Sequence, residues 1–551
     1  MRISLKDKEE LAWKLSVPLA TAVFLGAAVL LFPTLGLEPD ELLYVRAIIR
    51  PLETLSHIQI GHKVYPLMIM SYLGALRSWL YRPIVRNFGF TTASVRIPAI
   101  ILAALALILF ARLLRNISGP WAGVFMVWML ATDVTFLSTA TFDWGPVVLQ
   151  HLFLAAMLSC LLLWERRRYG CLVFAGGLAG GLALWDKAIF LWNLSSMAIV
   201  FVCLGFPFLR SLGWRALPRS FGLLTAGILL GAFPLIAYNV AHRGETISGN
   251  THLTTAEMKW KETYLLRTAD GLADESFSDP AYPAPDHIAR PFSDIAKKIA
   301  PSKNPPEVLN ISSWRIWLFV ALIPIGLALA DWPQRKWILF FLFSGALSWL
   351  QAALTSGAGA SIHHVVLMWP LLYASLAVCA AAIAHRARRW GSLAIAAVVL
   401  VFAMRGLQEI DVLYVNLISY SPGVQFSDGE EALVSCLNAA GIQRLLTVDW
   451  GIEPEVTVRT KGRILVLEDA YQLYGGGPIV RELRQCIQAD CLIALHPESR
   501  EAFPGINKAF DSSLSQNHLA KQLFAEIRDS HGTASYELYR LHEDAAAVPT
   551  E

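Results

Sequence analysis

The chain has 551 residues, of which 55% are hydrophobic and 16% charged, and its formal net charge is +3. Soluble globular chains carry about 25% charged residues, so too little charge is present to cover a water-facing surface, and lipid must solvate most of the molecule. The small net charge, with no basic tract interleaved with aromatics, argues against a nucleic-acid partner.

A helix needs about 20 mostly apolar residues to cross the hydrocarbon core. In chain order this test predicts about eleven transmembrane helices, at 13–33, 96–114, 119–138, 144–164, 170–187, 188–206, 220–240, 313–331, 336–355, 363–384 and 391–408. The first run starts among Arg2, Lys6, Lys8 and Lys14. It is too long for a signal-peptide core and lacks a small-residue cleavage site, so it is expected to be retained. Basic loops at 111–116, 165–170, 209–220, 331–336 and 385–390 alternate with loops at 137–143 and 355–362 that contain no Lys or Arg. Under the positive-inside rule the N-terminus is then cytoplasmic and the C-terminal part lies outside. A bacterial inner membrane is the expected home, since the three Asn-x-Ser sites, at Asn116, Asn193 and Asn310, are too few and badly placed to argue for a eukaryotic lumen.

This topology leaves a membrane domain over 1–408 with two long outer loops, about 34–95 and 241–312. The first contains Leu37-Glu38-Pro39-Asp40-Glu41, three carboxylates within four residues. It continues through an apolar stretch with Arg77, Arg82 and Arg86 at helical spacing, the pattern of an amphipathic helix in the interface. The second is rich in Pro, Asp and Lys, with weak periodicity, and is expected to be a lid, a binding element or a linker.

From 409 to 551 the composition becomes that of a soluble domain. Helices are predicted at "EEALVSCLNAAG" and "PIVRELRQCIQ", and strands at "RLLTVDW", "RILVLED", "CLIALH" and "ASYELYRLH". Their alternation predicts a small α/β domain. The Gly475-Gly476-Gly477 run lacks the spacing of a phosphate loop and is read as a turn. In an oxidising compartment one disulfide is expected, with Cys436 as the partner of Cys486 or Cys491. No Cys/His pattern with zinc spacing occurs.

The predicted outer face gathers chemistry from distant parts of the sequence: Asp40 and Glu41 after the first span, Asp143 before the fourth, Asp186-Lys187 between the fifth and sixth, His242-Arg243 after the seventh, and His363-His364 at the tenth. Taken singly, these residues suit helix caps, snorkelling cations and solvated loops. Together, acids and bases at one boundary can deprotonate a nucleophile and hold a phosphate.

Asp40-Glu41-x-x-Tyr44 resembles the D-E-x-x-Y signature of integral-membrane glycosyltransferases of the C-type fold, relatives of protein O-mannosyltransferases and lipid A aminoarabinose transferases. "GHKVYPLMIMSYLGAL", "SVRIPAIILAALA", Asp143 and "GLALWDKAIFLW" are similar to further stretches of that family in the same order, over about residues 10–245. His62-Lys63-Val64-Tyr65-Pro66 stands where the family has a His-Pro-Pro-Leu form. The resemblance implies an α-helical polytopic membrane protein of the C-type fold that transfers a sugar from a polyprenyl-phosphate donor to an acceptor hydroxyl on a glycan, lipid or protein. It implies metal-independent or weakly metal-dependent transfer with no cofactor. Asp40 would be the general base, with Glu41 supporting it and Asp143 positioning a substrate. Lys187 would neutralise the leaving phosphate, with Arg243, His364, Lys63 and Arg96 as further phosphate contacts. Tyr44 and His363 would touch substrate.

A transporter or flippase would instead place ionisable groups near mid-membrane and often show two matching halves. A non-catalytic, lipid-binding relative of the same fold is the other alternative.

Overall fold

A computed structural model describes residues 5–145, 147–205, 213–271, 277–283 and 314–543. Residues 272–276 and 284–312 of the second outer loop, including Asn310, lie outside the described residues.

Among the described residues, six helices are long and apolar enough to cross a membrane: Asp7–Leu31, Thr92–Ser118, Val147–Arg167, Trp332–Ala353, Ile362–Arg386 and Arg389–Ser419. Two further pairs pass the test together but are bent, Pro120–Ala131 with Val134–Thr141 by 60° and Leu217–Gly231 with Phe233–Ala241 by 70°. Gly170–Asp186, Phe190–Leu204 and Arg315–Leu329 are shorter apolar helices. Every predicted span falls on one of these elements. The first bend sits at Asp133, whose carboxylate caps Phe136 N–H at 2.7 Å and accepts from the Trp369 indole and the Tyr373 hydroxyl. A buried acid satisfied three times over makes that break a fixed corner. Gly177 and Gly181 pack on Gly227 and Gly231, where a methyl at Gly177 would fall 2.2 Å from Leu224 O. This small-residue spacing lets two helix backbones touch where lipid gives no hydrophobic drive.

Helix α1 (Leu5–Leu31) leads into α2 (Pro39–Ile49). Pro39 fits the first turn of α2, where its missing N–H is not needed. Glu38 caps that turn, its carboxylate accepting from Asp40 N–H at 2.6 Å, while the Glu41 carboxylate accepts from Glu38 N–H at 3.0 Å. This reciprocal pair is a capping box.

The rest of the first outer loop differs from the expected single helix. Strands β1 (Ser56–Ile60), β2 (Lys63–Met70) and β3 (Leu73–Gly74) form a small antiparallel sheet, and only α3 (Leu76–Phe88) is helical. Pairing with β1 and β3 claims the stretch from Tyr65 to Met70 that apolar content alone assigned to a helix. Arg77 and Arg82 are buried, at 1% and 9% exposure, so α3 turns those two cations inward.

Helices α4 (Thr92–Ser118), α5 (Pro120–Ala131), α6 (Val134–Thr141), α7 (Val147–Arg167), α8 (Gly170–Asp186) and α9 (Phe190–Leu204) follow. The sheet docks on the turn after α8: Leu73 bridges Lys187, Ala188 N–H donates to Tyr72 O at 2.9 Å, and a methyl at Gly74 would fall 1.7 Å from Trp185 O. Only glycine allows that approach.

Helix Arg388–Ser419 runs past the predicted boundary at 408 and hands the chain to an α/β unit. Its five-stranded sheet has the order Leu465–Glu468, Arg444–Thr447, Leu492–Leu495, Ala534–Glu543, Leu519–Arg528. The first three strands are parallel and the last two antiparallel. Leu519–Arg528 was not predicted; it is a largely exposed edge, so little apolar alternation marks it. The cysteine expectation is corrected: Cys486 pairs with Cys491 across the turn from helix Val480–Gln488 into strand Leu492–Leu495, with Cα atoms 4.8 Å apart, and Cys436 is free.

This unit sits on α2. Arg46 Nε meets Glu453 at 2.9 Å, Arg50 donates to Gly462 O at 2.8 Å, and Leu37 N–H donates to Glu430 at 3.2 Å. Val458 packs among Leu37, Leu42 and Val45.

Candidate active site

The three acids of Glu38-Pro39-Asp40-Glu41 have separate fates. Glu38 is fully buried and serves the helix cap. Glu41, also buried, is locked to Arg96, whose Nη2 lies 2.7 Å and Nε 3.0 Å from its oxygens. The remaining Arg96 N–H groups go to the carbonyls of Phe32, Leu35 and Gly36 at 2.7, 2.9 and 2.5 Å. All five guanidinium donors are therefore spent. Arg96 ties the end of α1 to the start of α2 and has no donor left for a phosphate.

Asp40 is different. It is only half-buried, and among the described residues no hydrogen bond or ion pair engages its carboxylate. Burial raises its pKa above the ordinary carboxylate range, opposed by Lys187 and then Arg77. A free carboxylate with raised basicity beside two cations is suited to accept a proton.

Lys187 is buried at the C-terminal cap of α8, its Nζ 3.4 Å from His364 Nε2. Burial lowers its pKa, while Asp40 and Asp186 pull it back up. The docking of β3 fixes the turn that carries it. His363 accompanies His364, bonds Ser361 Oγ at 2.8 Å and packs on Trp144 at 4.9 Å between ring centroids.

Asp143 is fully buried after α6 with φ of 47°. Its Oδ1 lies 2.7 Å from Arg77 Nη1, and Tyr81 donates to Oδ2 at 3.2 Å. Burial pushes Asp143 up to about 7 against the pull of Arg77. The Arg77 guanidinium stands 4.7 Å over the Tyr44 ring, and its Nε and Nη2, like the Tyr44 hydroxyl, are buried without a hydrogen-bond partner.

One cluster thus contains Asp40, Lys187, His364 and Arg77, with Asp143, Glu41 and Tyr44 behind it. Lys63 lies at the exposed hairpin end and Arg243 is exposed after Phe233–Ala241; neither is bonded to the cluster. Sequence reasoning missed Arg77 as a site residue. Its signal was the Arg77/Arg82/Arg86 spacing, read as an interfacial face. It also missed Tyr72, whose phenol burial and Asp40 raise to about 12. Among the described residues, no three His, Cys, Asp or Glu side chains converge to hold a metal ion.

No protein-family model and no curated protein matches the chain. Among solved structures it is similar to ArnT from Cupriavidus metallidurans bound to undecaprenyl phosphate, with 12% identity and a TM-score of 0.54 over 97% of this chain and 98% of that one. It is also similar to the apo oligosaccharyltransferase of Archaeoglobus fulgidus, with 11% identity and a TM-score of 0.53 over 98% of this chain and 75% of that one. The chain has the C-type glycosyltransferase fold. The match with ArnT spans nearly all of both chains, so the C-terminal unit belongs to the shared architecture.

Proposed function

We propose that the protein is a membrane glycosyltransferase that moves a sugar from a polyprenyl-phosphate donor to an acceptor hydroxyl at the extracytoplasmic face. The observation that carries this reading is the Asp40 carboxylate, the one acid of its group left open and unbonded, held near the Lys187–His364 pair. Asp40 takes the acceptor proton as the acceptor oxygen bonds to the anomeric carbon. The bond from that carbon to the phosphate oxygen breaks, and polyprenyl phosphate leaves with the electron pair. A hydroxyl is a poor nucleophile without such a base. Lys187 offsets the charge developing on the leaving phosphate, in a site poor in water where a fixed cation counts for most. Arg77 supports the same side, since Asp143 holds one end of its guanidinium and Nε and Nη2 remain unbonded. Apolar side chains of α3 and α4 border a cavity of about 640 Å³ lined by Leu80, Ile84, Ile97 and Ile101, with Tyr81 joining it to Asp143.

The test is release of polyprenyl phosphate from hexosyl and pentosyl polyprenyl-phosphate donors by the purified full-length protein. Release that is lost in Asp40→Asn is expected. No release above background with any of these donors would defeat the reading.

A further inference from the structure

Asp40 has a second neighbourhood, supplied by the C-terminal unit. The parallel strands end at Glu468, Thr447 and Leu495 and lead into Asp469, Asp449-Trp450 and His496. In α/β sheets ligands settle outside the carboxyl ends of the strands. Here that edge faces α2: a methyl at Gly451 would fall 2.9 Å from the Pro39 ring, and Val458 packs on Leu42.

Part of the edge is committed to structure. Asp449 bonds His496 Nδ1 at 2.8 Å and accepts from the backbone N–H groups of Ala502 and Phe503. The remainder is open. Tyr471 and Tyr474 are 59% and 55% exposed. Phe503 stacks on Tyr474 at 4.6 Å and meets Tyr471 edge-on at 5.2 Å. Glu468 is exposed, and Asp469 Oδ2 is buried without a hydrogen-bond partner. Partial burial, and then the charges of Glu468, Tyr72 and Asp40, raise the Tyr471 phenol while its ring keeps an open face. Tyr72 in turn accepts Ala188 N–H through its carbonyl, directly after Lys187. Asp40, next to the Pro39 that this edge touches, therefore has both the Lys187 cation and the Tyr471–Glu468 group as electrostatic neighbours.

We propose that this strand-end edge is the acceptor site and that the acceptor is a carbohydrate. Its rings lie on Tyr471 and Tyr474, its hydroxyls donate to Glu468 and Asp469, and one hydroxyl is presented to Asp40. The proposal rests on the transferase reading for the role of Asp40. A sugar ring has an apolar C–H face and a rim of hydroxyl donors. Tyrosine offers an apolar ring with a polar tip, and carboxylates accept from hydroxyls. A lipid-facing aromatic belt is the other use of exposed Tyr at this level. Two carboxylates at the same edge oppose it, because anionic headgroups repel them. The reaction also calls for an acceptor site that adjoins Asp40 and is separate from Lys187, since the acceptor hydroxyl must approach opposite the departing phosphate.

The test uses the full-length protein in nanodiscs and saturation-transfer NMR. The probe is the deacylated core oligosaccharide of a bacterial lipopolysaccharide, and a Ser/Thr-rich peptide serves as the comparison. Sugar ring protons should receive saturation from the protein, and the peptide should not. Tyr471→Ala and Tyr474→Ala should each weaken oligosaccharide binding about threefold to tenfold, the scale of one lost aromatic contact, without lowering the melting temperature. Tyr471→Phe should bind as the parent does. No saturation of the oligosaccharide at millimolar concentration, preference for the peptide, or binding indifferent to both Ala changes would each overturn the proposal. Tyr-dependent sugar binding in a protein that fails to turn over any donor would defeat the transferase reading and leave the sugar site standing.

Discussion

Arg77 and Asp143 form a buried ion pair, Nη1 to Oδ1 at 2.7 Å, with exposures of 1% and 0%. The pair joins α3 to the turn after α6, two segments separated by more than two helices in sequence. An ion pair of this kind is a poor source of net stability, because desolvation offsets the attraction. Its worth lies in orientation, since Asp143 and the Gly145 carbonyl hold the guanidinium over Tyr44 with two nitrogens unspent.

Removing one partner should therefore be worse than removing both. Arg77→Met leaves Asp143 buried without its cation and should cost about 3–5 kcal/mol. Arg77→Met combined with Asp143→Leu should recover most of that stability. Thermal unfolding in detergent measures it, and an Arg77→Met protein as stable as the parent would contradict the account.

The three acids around Pro39 should separate in the same way. Asp40→Asn should lower turnover about 10²–10⁴-fold, the scale of a positioned general base, with melting unchanged. Glu41→Ala strands the five-donor Arg96 and should chiefly destabilise, by about 3–5 kcal/mol. Glu38→Gln keeps an acceptor for the Asp40 N–H and should be nearly silent in both. Donor release and melting, read side by side, distinguish these outcomes. Equal, small effects at all three positions would return the stretch to an ordinary loop.

The pH profile follows from the same groups. Asp40 works deprotonated and its pKa is raised by burial, so the acid limb of kcat/KM should lie above the ordinary aspartate range. Lys187 works protonated and its pKa is lowered by burial, so the alkaline limb should lie below the ordinary lysine range. The two limbs approach each other and give a narrowed bell. Lys187→Arg, whose guanidinium stays charged, should move only the alkaline limb upward. An acid limb at the ordinary aspartate value would remove Asp40 from the role of base.

The membrane helices were legible because hydrophobic length is a local signal: each of the eleven predicted segments coincides with an apolar helix or a bent pair. The Asp40-Glu41 stretch was legible as a place, but its division of labour was not. Glu38 and Asp40 look alike in one dimension, and only the capping geometry and the Arg96 contacts tell them apart. Arg77 was hidden for a related reason. A cation at helical spacing reads as snorkelling unless the acid it meets, 66 residues away in sequence, is known to lie beside it. The β1–β3 sheet and the Tyr471 edge depend on pairings between distant segments, which periodicity within either segment does not encode.

The orientation can be tested directly. Basic loops on one side predict that the unit carrying strand Ala534–Glu543 faces outward, together with α2. A single cysteine placed at the exposed Asp511 should react with a membrane-impermeant maleimide in spheroplasts. Protection there, with labelling after lysis, would invert the arrangement.

The cations sort the donor side from bystanders. Lys187 is buried, held by the β3 docking and paired with His364, whereas Lys63 and Arg243 are exposed and unconnected to it. An exposed lysine is screened by water and salt, so it contributes little to a charge that develops inside the site. Lys187→Ala should then reduce donor release at least about tenfold, the change expected for a lost fixed charge at a departing phosphate. Lys187→Arg should keep part of the activity, because it preserves the charge but not the compact head group. His364→Ala should be milder, since it removes a neighbour of the ammonium and not the ammonium itself. Lys63→Ala and Arg243→Ala should stay within about twofold of the parent, as surface charges distant from a site do. Steady-state donor release by the five variants provides the comparison. If Lys63→Ala or Arg243→Ala fell as far as Lys187→Ala, the phosphate would have to lie toward the open hairpin, and the cluster around Asp40 would lose its claim to the leaving group.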